Sequence, residues 1–286
     1  MKKIVAFFCA LLLLFATVLT LGACGGEKGI RIAIPNDTTN EARALLLLEA
    51  NGLIRLNPEA GILATVRDIT ENPYNIEFVE MEAAQLPRTL TDVDYAVINS
   101  NYAIPAGYRP TTDALAIEDS YSAYSNILAV KTGNETSAKT RALVAALSSV
   151  RIKEYIASRY DGAVISVIGE AGDGYDATLD YGALSGTKIT VAASPTPHAE
   201  ILGIAAEILR EKNITLDIRE YTDYVQPNTA VENGDVDANY FQHLPYLEDF
   251  NKENGTHIVS VLAVHVEPMG IYSKKHIKLD IMKESE

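Results

Sequence analysis

The feature that most constrains this chain is the repeated alternation of short apolar runs with helical stretches across polar turns. Ile30, Ile32 and Ile34 alternate with smaller or charged residues between Gly29 and Pro35, the period of a strand. Asn36-Asp37-Thr38-Thr39-Asn40 supplies turn and N-cap chemistry, the stretch from Glu41 to Ala50 reads as a helix, and Asn51-Gly52 stops it. Further strands are predicted at Asn75–Glu80, Tyr95–Asn99, Ser125–Lys131, Lys188–Ala193, Thr215–Glu220, Val236–Tyr240 and Ile258–Val266. Helices are predicted at Ala83–Leu90, Thr140–Ala157 and from Pro197 to Lys212. Strand–helix alternation of this kind implies an α/β protein built from parallel sheets. Ligands of such proteins sit at the carboxyl ends of the strands, so the residues there come first.

Residues 221–246 concentrate Tyr224, Tyr240, Phe241, His243 and Tyr246 beside Asn228, Asn239 and Gln242, in a chain with no Trp and 6 Phe. Aromatic walls with a few amides suit a small molecule that is part apolar and part polar; the plainer alternative is a core aromatic cluster. Arg43 falls in the first turn of the helix after Asn40. Free N–H groups and the helix dipole attract anions there, and a guanidinium binds a carboxylate through two parallel hydrogen bonds. The alternative is an ordinary Arg paired with Glu41 or an acid elsewhere. The strand ending at Asn99 runs into Ser100-Asn101-Tyr102; these amides point to a crevice or are simply turn residues. His198, beside Pro197, reads as a residue of a helix start rather than a ligand contact.

Lys2-Lys3, the apolar run 4–21 and then Leu21-Gly22-Ala23-Cys24 form a basic start, a hydrophobic region and a small-residue cleavage site before Cys. This matches a bacterial lipobox, with loss of residues 1–23 and diacylation of Cys24; the alternative is a retained transmembrane helix. Cys9 lies in the removed segment, so Cys24 stands alone, which excludes a disulfide framework and a thiolate metal site. The net charge of −14 argues against nucleic acid as a partner. Ser194 and His198 occur without a G-x-S-x-G elbow and no cluster has zinc-like spacing. The chain therefore reads as a non-enzyme without metal or cofactor.

Three stretches, DYVQPN (223–228), DANYFQHLPYLEDFN (237–251) and HVEPMGIYSKK (265–275), resemble the NlpA/MetQ lipoproteins, the substrate-binding components of methionine ABC importers. AIPNDTTNEARALLLLEANGLIRL (33–56), EAAQLPRTLTDVDYAVINSNYA (82–103) and SNILAVK (125–131) resemble the same family. The resemblance implies a two-domain, hinged fold of the periplasmic-binding-protein type. One lobe would be 30–130 with the strand 269–276 and the other 131–268, with crossings near 122–130 and 265–270. It implies a lipid-anchored protein on the extracytoplasmic face of the cell membrane that hands L-methionine to a permease. Another amino acid and a methionine-containing dipeptide are alternative cargoes. By resemblance Arg43 holds the ligand carboxylate, helped by Asn40; Asn101 and Asn126 hold the amino-acid backbone; Tyr224, Phe241, His243 and Tyr246 enclose the side chain. The group facing the ligand ammonium is not legible. The block order is exchanged relative to the family, as in a circular permutant, with 169–186 as a Gly-rich join needing no defined structure. The competing expectation is a rearranged form that does not bind, or that swaps domains into a dimer.

Overall fold

The computed structural model describes residues 29–119 and 124–279. Cys24 and the apolar run before it lie outside the described residues. Among the described residues no helix is long and apolar enough to cross a membrane.

The chain builds two α/β lobes, each around its own sheet. The five strands of the first sheet run in the order Glu77–Met81, Arg31–Pro35, Tyr95–Ile98, Gly270–Tyr272 and Ala116–Ile117. The six of the second run Thr215–Glu220, Lys188–Ala193, Ala238–His243, Asn126–Lys131, Ile258–Val266 and Ile165–Ser166. A short antiparallel pair, Arg55–Leu56 with Ile69–Glu71, sits beside the first lobe.

The sheets are mixed, not parallel throughout. Arg31–Pro35 pairs parallel with both neighbours, as do the first three strands of the second sheet. Gly270–Tyr272 and Asn126–Lys131 instead pair antiparallel with their neighbours. These are the strands by which the chain enters a sheet from the other lobe, without the helical crossover that makes neighbours parallel. The lobe boundary moves accordingly: Asn126–Lys131 hydrogen-bonds at the centre of the second sheet, so 126–130 belong to the second lobe.

Side-chain alternation places a core on each sheet face. In the first lobe Ile32, Ile34 and Val97 pack with Leu45 and Leu48 of the Thr38–Ala50 helix. Ala33, Ala96 and Ile98 face Leu86, Leu90 and Tyr272 on the other side. In the second lobe Leu128, Val130, Val191 and Tyr240 meet helices Ala138–Leu147, Val150–Tyr160 and Glu200–Arg210. Ile127, Ala129 and Ala192 meet Val231 and Leu247 opposite. Burial of each large aliphatic side chain contributes about 1.5–3 kcal/mol.

The single helix expected over 140–157 is two. Ser149 caps the second, its hydroxyl accepting from Ile152 N at 3.3 Å. The segment after Gly169 bonds into this break: Gly172 N donates to Ser148 O at 3.0 Å and Val150 N to Gly172 O at 2.9 Å. Residues 169–186 are therefore not a structureless join. Tyr175 Oη donates to Glu211 at 2.7 Å, Arg141 pairs with Asp176 at 2.6 Å, and Tyr181–Leu184 form a helical turn. Gly174 has φ of +99°, and a Cβ there would come within 2.8 Å of Ile208, so only glycine lets the backbone lie this close.

Candidate ligand site

The Thr38–Ala50 helix begins at Asp37, whose carboxylate accepts from Asn40 N at 3.1 Å and Asn40 Nδ2 at 2.8 Å. That cap turns Asn40 and Arg43 towards the second lobe. Opposite them, the second-sheet strand Ala238–His243 runs three residues beyond the predicted end at Tyr240, so Phe241, Gln242 and His243 sit on the strand. Tyr246 follows in the first turn of Leu244–Asn254. Asn99, Ser100 and Asn101 follow the carboxyl end of Tyr95–Ile98, and Asn126 opens its strand in the second sheet.

These elements form one pocket, lined by Asn40, Arg43, Asn99, Ser100, Asn101, Asn126, Tyr224, Phe241, Gln242, His243, Tyr246 and Glu267. All eight residues singled out for a ligand line it. The sequence marks Asn99 and Gln242 beside them without giving either a ligand role, and it does not mark Ser100. Glu267 was read only as part of a crossing, because nothing in its local sequence marks it as facing a cavity. Asn228 and Asn239 are not in the lining; they join Gln242 in a buried amide cluster, with Gln242 Nε2 donating to Asn228 Oδ1 at 2.7 Å and Asn239 Nδ2 to the same oxygen at 2.8 Å.

One wall is aromatic. Tyr224, Phe241 and Tyr246 lie about each other with centroids 5.9–6.1 Å apart, and His243 is 6.3 Å from Tyr246. Tyr224 Oη donates to Asn101 Oδ1 at 2.7 Å and Tyr246 Oη to Tyr224 O at 2.9 Å, which fixes the rings. Burial, and next the Arg43 charge, push the His243 imidazole down to about 3, so it is neutral at pH 7.

The opposite wall is polar. Arg43 is 5 % exposed and its Nε and Nη2 grip Glu118, at 2.8 and 2.6 Å to Oε2, while Nη2 also donates to Glu267 O at 2.9 Å. The guanidinium lies 4.7 Å from the Tyr124 ring centroid. Its acidic partner is thus Glu118 and not Glu41, which accepts from Val66 N at 2.8 Å. Glu118 Oε2 also accepts from Met269 N at 3.1 Å, so one carboxylate bonds to the first lobe's helix and to the returning crossing. Burial pulls the Arg43 pKa down, but Glu118 outweighs it and the group stays charged.

Asn99 Oδ1, Asn101 Nδ2, His243 Nδ1 and Glu267 Oε2 are buried and make no hydrogen bond within the protein. Buried polar groups ordinarily have partners, so the lining offers both donors and acceptors to a guest. Burial raises the Glu267 carboxyl, against the pull of His198 and Arg43. His198 is not in the lining. It is fully buried behind Asn126, with its Nε2 2.8 Å from Asn126 Oδ1.

The family model described as NlpA lipoprotein matches residues 26–168 and 189–286. The chain is 49% identical over 138 residues to the membrane lipoprotein TpN32 of Treponema pallidum, covering 48% of this chain and 52% of that one. It is 39% identical over 141 residues to the D-methionine-binding lipoprotein MetQ of Escherichia coli, covering 49% and 52%. It spans about half the length of the curated relatives it matches. Among solved structures it is similar to a nutrient binding protein from Burkholderia cenocepacia bound to methionine, with 47% identity, 47% of this chain and 57% of that chain covered, and a TM-score of 0.46.

Proposed function

The chain belongs to the NlpA lipoprotein family, and we propose that it is a substrate-binding lipoprotein that encloses methionine between its lobes and passes it to an ABC permease. The observation that carries this reading is the pocket with an aromatic wall facing Arg43, amides and Glu267. An amino acid has the matching polarity. Its carboxylate meets the Arg43 guanidinium with Asn40, its backbone polar groups meet Asn101 and Asn126, and its ammonium faces Glu267, the one carboxylate among the described lining residues. The thioether lies against Tyr224, Phe241, His243 and Tyr246. Sulfur–aromatic contacts contribute about 0.3–1.5 kcal/mol each, so the wall favours methionine over an aliphatic isostere. No reaction is assigned: among the described lining residues no nucleophile is paired with a base.

Further parts of the reading rest on sequence. Cys24 is the lipid attachment site and holds the protein at the extracytoplasmic face of the cell membrane, two acyl chains being a stable anchor where one is not. The halves are circularly permuted. The two-segment family match, interrupted at 169–188, supports a join there, and the lobe assignment given above supports both halves of the site coming from one molecule.

Native mass spectrometry of the purified protein, followed by calorimetry with L-methionine, D-methionine and norleucine, tests this. One methionine per monomer and weaker norleucine binding are expected. Binding confined to a dimer fraction would replace the permutant by a domain swap. Absence of binding to any of the three would overturn the reading.

A further inference from the structure

Behind the ligand cavity lies a second polar cluster, which shares Glu267 with the cavity lining and adds two histidines that the ligand reading leaves unused. His198 lies in the helical segment Pro195–Ala199, His265 is the last residue but one of the strand Ile258–Val266, and Glu267 follows in the crossing. Both imidazoles are 0% exposed. Their ligand atoms and that of Glu267 lie within 4.8 Å of one another. Glu267 Oε1 is 3.6 Å from His198 Nε2 and 3.5 Å from His265 Nε2.

Three of the buried atoms in this cluster, His198 Nδ1, His265 Nε2 and Glu267 Oε2, make no hydrogen bond within the protein. Among the described residues no Lys or Arg forms an ion pair with that carboxylate; Arg43 grips Glu118 and only the backbone oxygen of Glu267. A buried carboxylate beside two buried imidazoles, with no Lys or Arg in an ion pair with it, calls for a cation.

We propose that His198, His265 and Glu267 form a site for a divalent transition metal ion of the zinc class. Imidazole nitrogen and carboxylate oxygen bind such ions at about 2.0–2.2 Å, and a tetrahedron with those bonds has edges of about 3.4 Å. The two His–Glu distances need to shorten by only a few tenths of an ångström to reach that edge. Asn126 Oδ1, 2.8 Å from His198 Nε2, stands beside the three as a fourth oxygen donor. Tyr240 Oη hydrogen-bonds His265 Nδ1. With Nδ1–H donating to the phenol oxygen, the Nε2 lone pair faces Glu267, the outer-shell arrangement by which ligating histidines are oriented. His198 donates Nε2–H to Asn126 Oδ1 in the metal-free protein, so metal binding takes it to its Nδ1–H tautomer and exchanges that hydrogen bond for coordination through Nε2. Neither step changes the protein's proton count. The site draws its ligands from positions 198, 265 and 267, so no local spacing announces it, which is why the sequence reading found no metal cluster.

The test uses the full-length protein in detergent, stripped with a chelator and titrated with Co²⁺ alone. One equivalent should give the visible bands of a low-symmetry tetrahedral ion, and Zn²⁺ should bleach them. His265→Gln should abolish the bands. Tyr240→Phe removes only the outer-shell bond, leaves the packing in place and should weaken Co²⁺ binding by about 10–100-fold; it guards against His265→Gln simply failing to fold. Absence of tetrahedral bands in the wild-type protein would overturn the proposal, leaving the three atoms bridged by water. So would bands that persist in a folded His265→Gln, which would place the ion elsewhere.

Discussion

Glu118→Gln probes the polar wall most directly, because it keeps the size of the side chain and removes its charge. In the wild-type protein Glu118 holds Arg43 through Nε and Nη2 and accepts from Met269 N. The side chains are 9% and 5% exposed, so water does little to compensate either. Removing one partner of a buried pair costs about 3–5 kcal/mol, mostly from the charge left behind. The amide retains one acceptor, which puts the expected loss near the lower figure. For a chain of this length about 1 kcal/mol corresponds to about 2–4 °C, so the melting temperature should fall by roughly 6–12 °C. If the ligand carboxylate meets the same guanidinium, saturating methionine supplies the missing negative charge. The thermal shift on adding methionine should therefore be larger in Glu118→Gln than in the wild type, measured by scanning calorimetry at matched ligand concentration. A variant that melts within 2 °C of wild type would refute the stability argument. An unchanged or smaller ligand shift would refute a carboxylate at Arg43.

Acid should unfold the protein steeply: His198, His243 and His265 are each held near 3 in the fold against about 6.5 in the unfolded chain, so stability present above pH 6.5 is lost as pH falls towards 3. Three protons correspond to about 4 kcal/mol per pH unit, less up to one proton from Glu267, whose raised pKa acts in the opposite sense; urea midpoints at pH 7, 6 and 5 with chelator present check this, and a flat profile would mean the imidazoles are not buried neutral. Phe241→Ala should weaken methionine binding by more than it weakens norleucine binding, read by calorimetry, whereas equal losses would assign Phe241 to packing alone. Cys24→Ser should move the protein from the membrane to the soluble fraction, and a variant that still pellets would mean that the apolar run before it is retained.

Local chemistry carried much of this fold and site into the sequence. Alternation of Ile30, Ile32 and Ile34, the cap at Asp37 and the stop at Asn51-Gly52 are short-range signals, and the structure places a strand and a helix there. Strand ends and helix starts mark Asn40, Arg43 and Asn101 and crowding marks the rings, but it is the resemblance to the NlpA/MetQ lipoproteins that gives Asn40, Arg43, Asn101 and Asn126 their ligand roles. What was illegible depends on distance along the chain. Arg43 finds Glu118 across 75 positions, and His198 meets Asn126 across 72. The helix break at Ser148-Ser149 escaped the periodic pattern because Leu147 and Val150 keep an apolar spacing, while the backbone that fills the break comes from Gly172. Strand direction escaped as well, since apolar alternation carries no information about how a neighbour runs.

The ordered course of 169–186 changes what a cut or an added residue there would do. A tether transmits no force until it is taut and tolerates a nick at any bond. Here Gly172 closes backbone bonds to Ser148 and Val150, and Asp176 and Tyr175 lock onto two different helices. A protease must first peel this stretch from the second lobe, and a residue inserted beside Gly172 shifts the register of two helices at once. The stretch behaves as a keystone: it bears on both halves of the broken helix, and those halves bear on the sheet that presents Asn126 and Phe241 to the cavity.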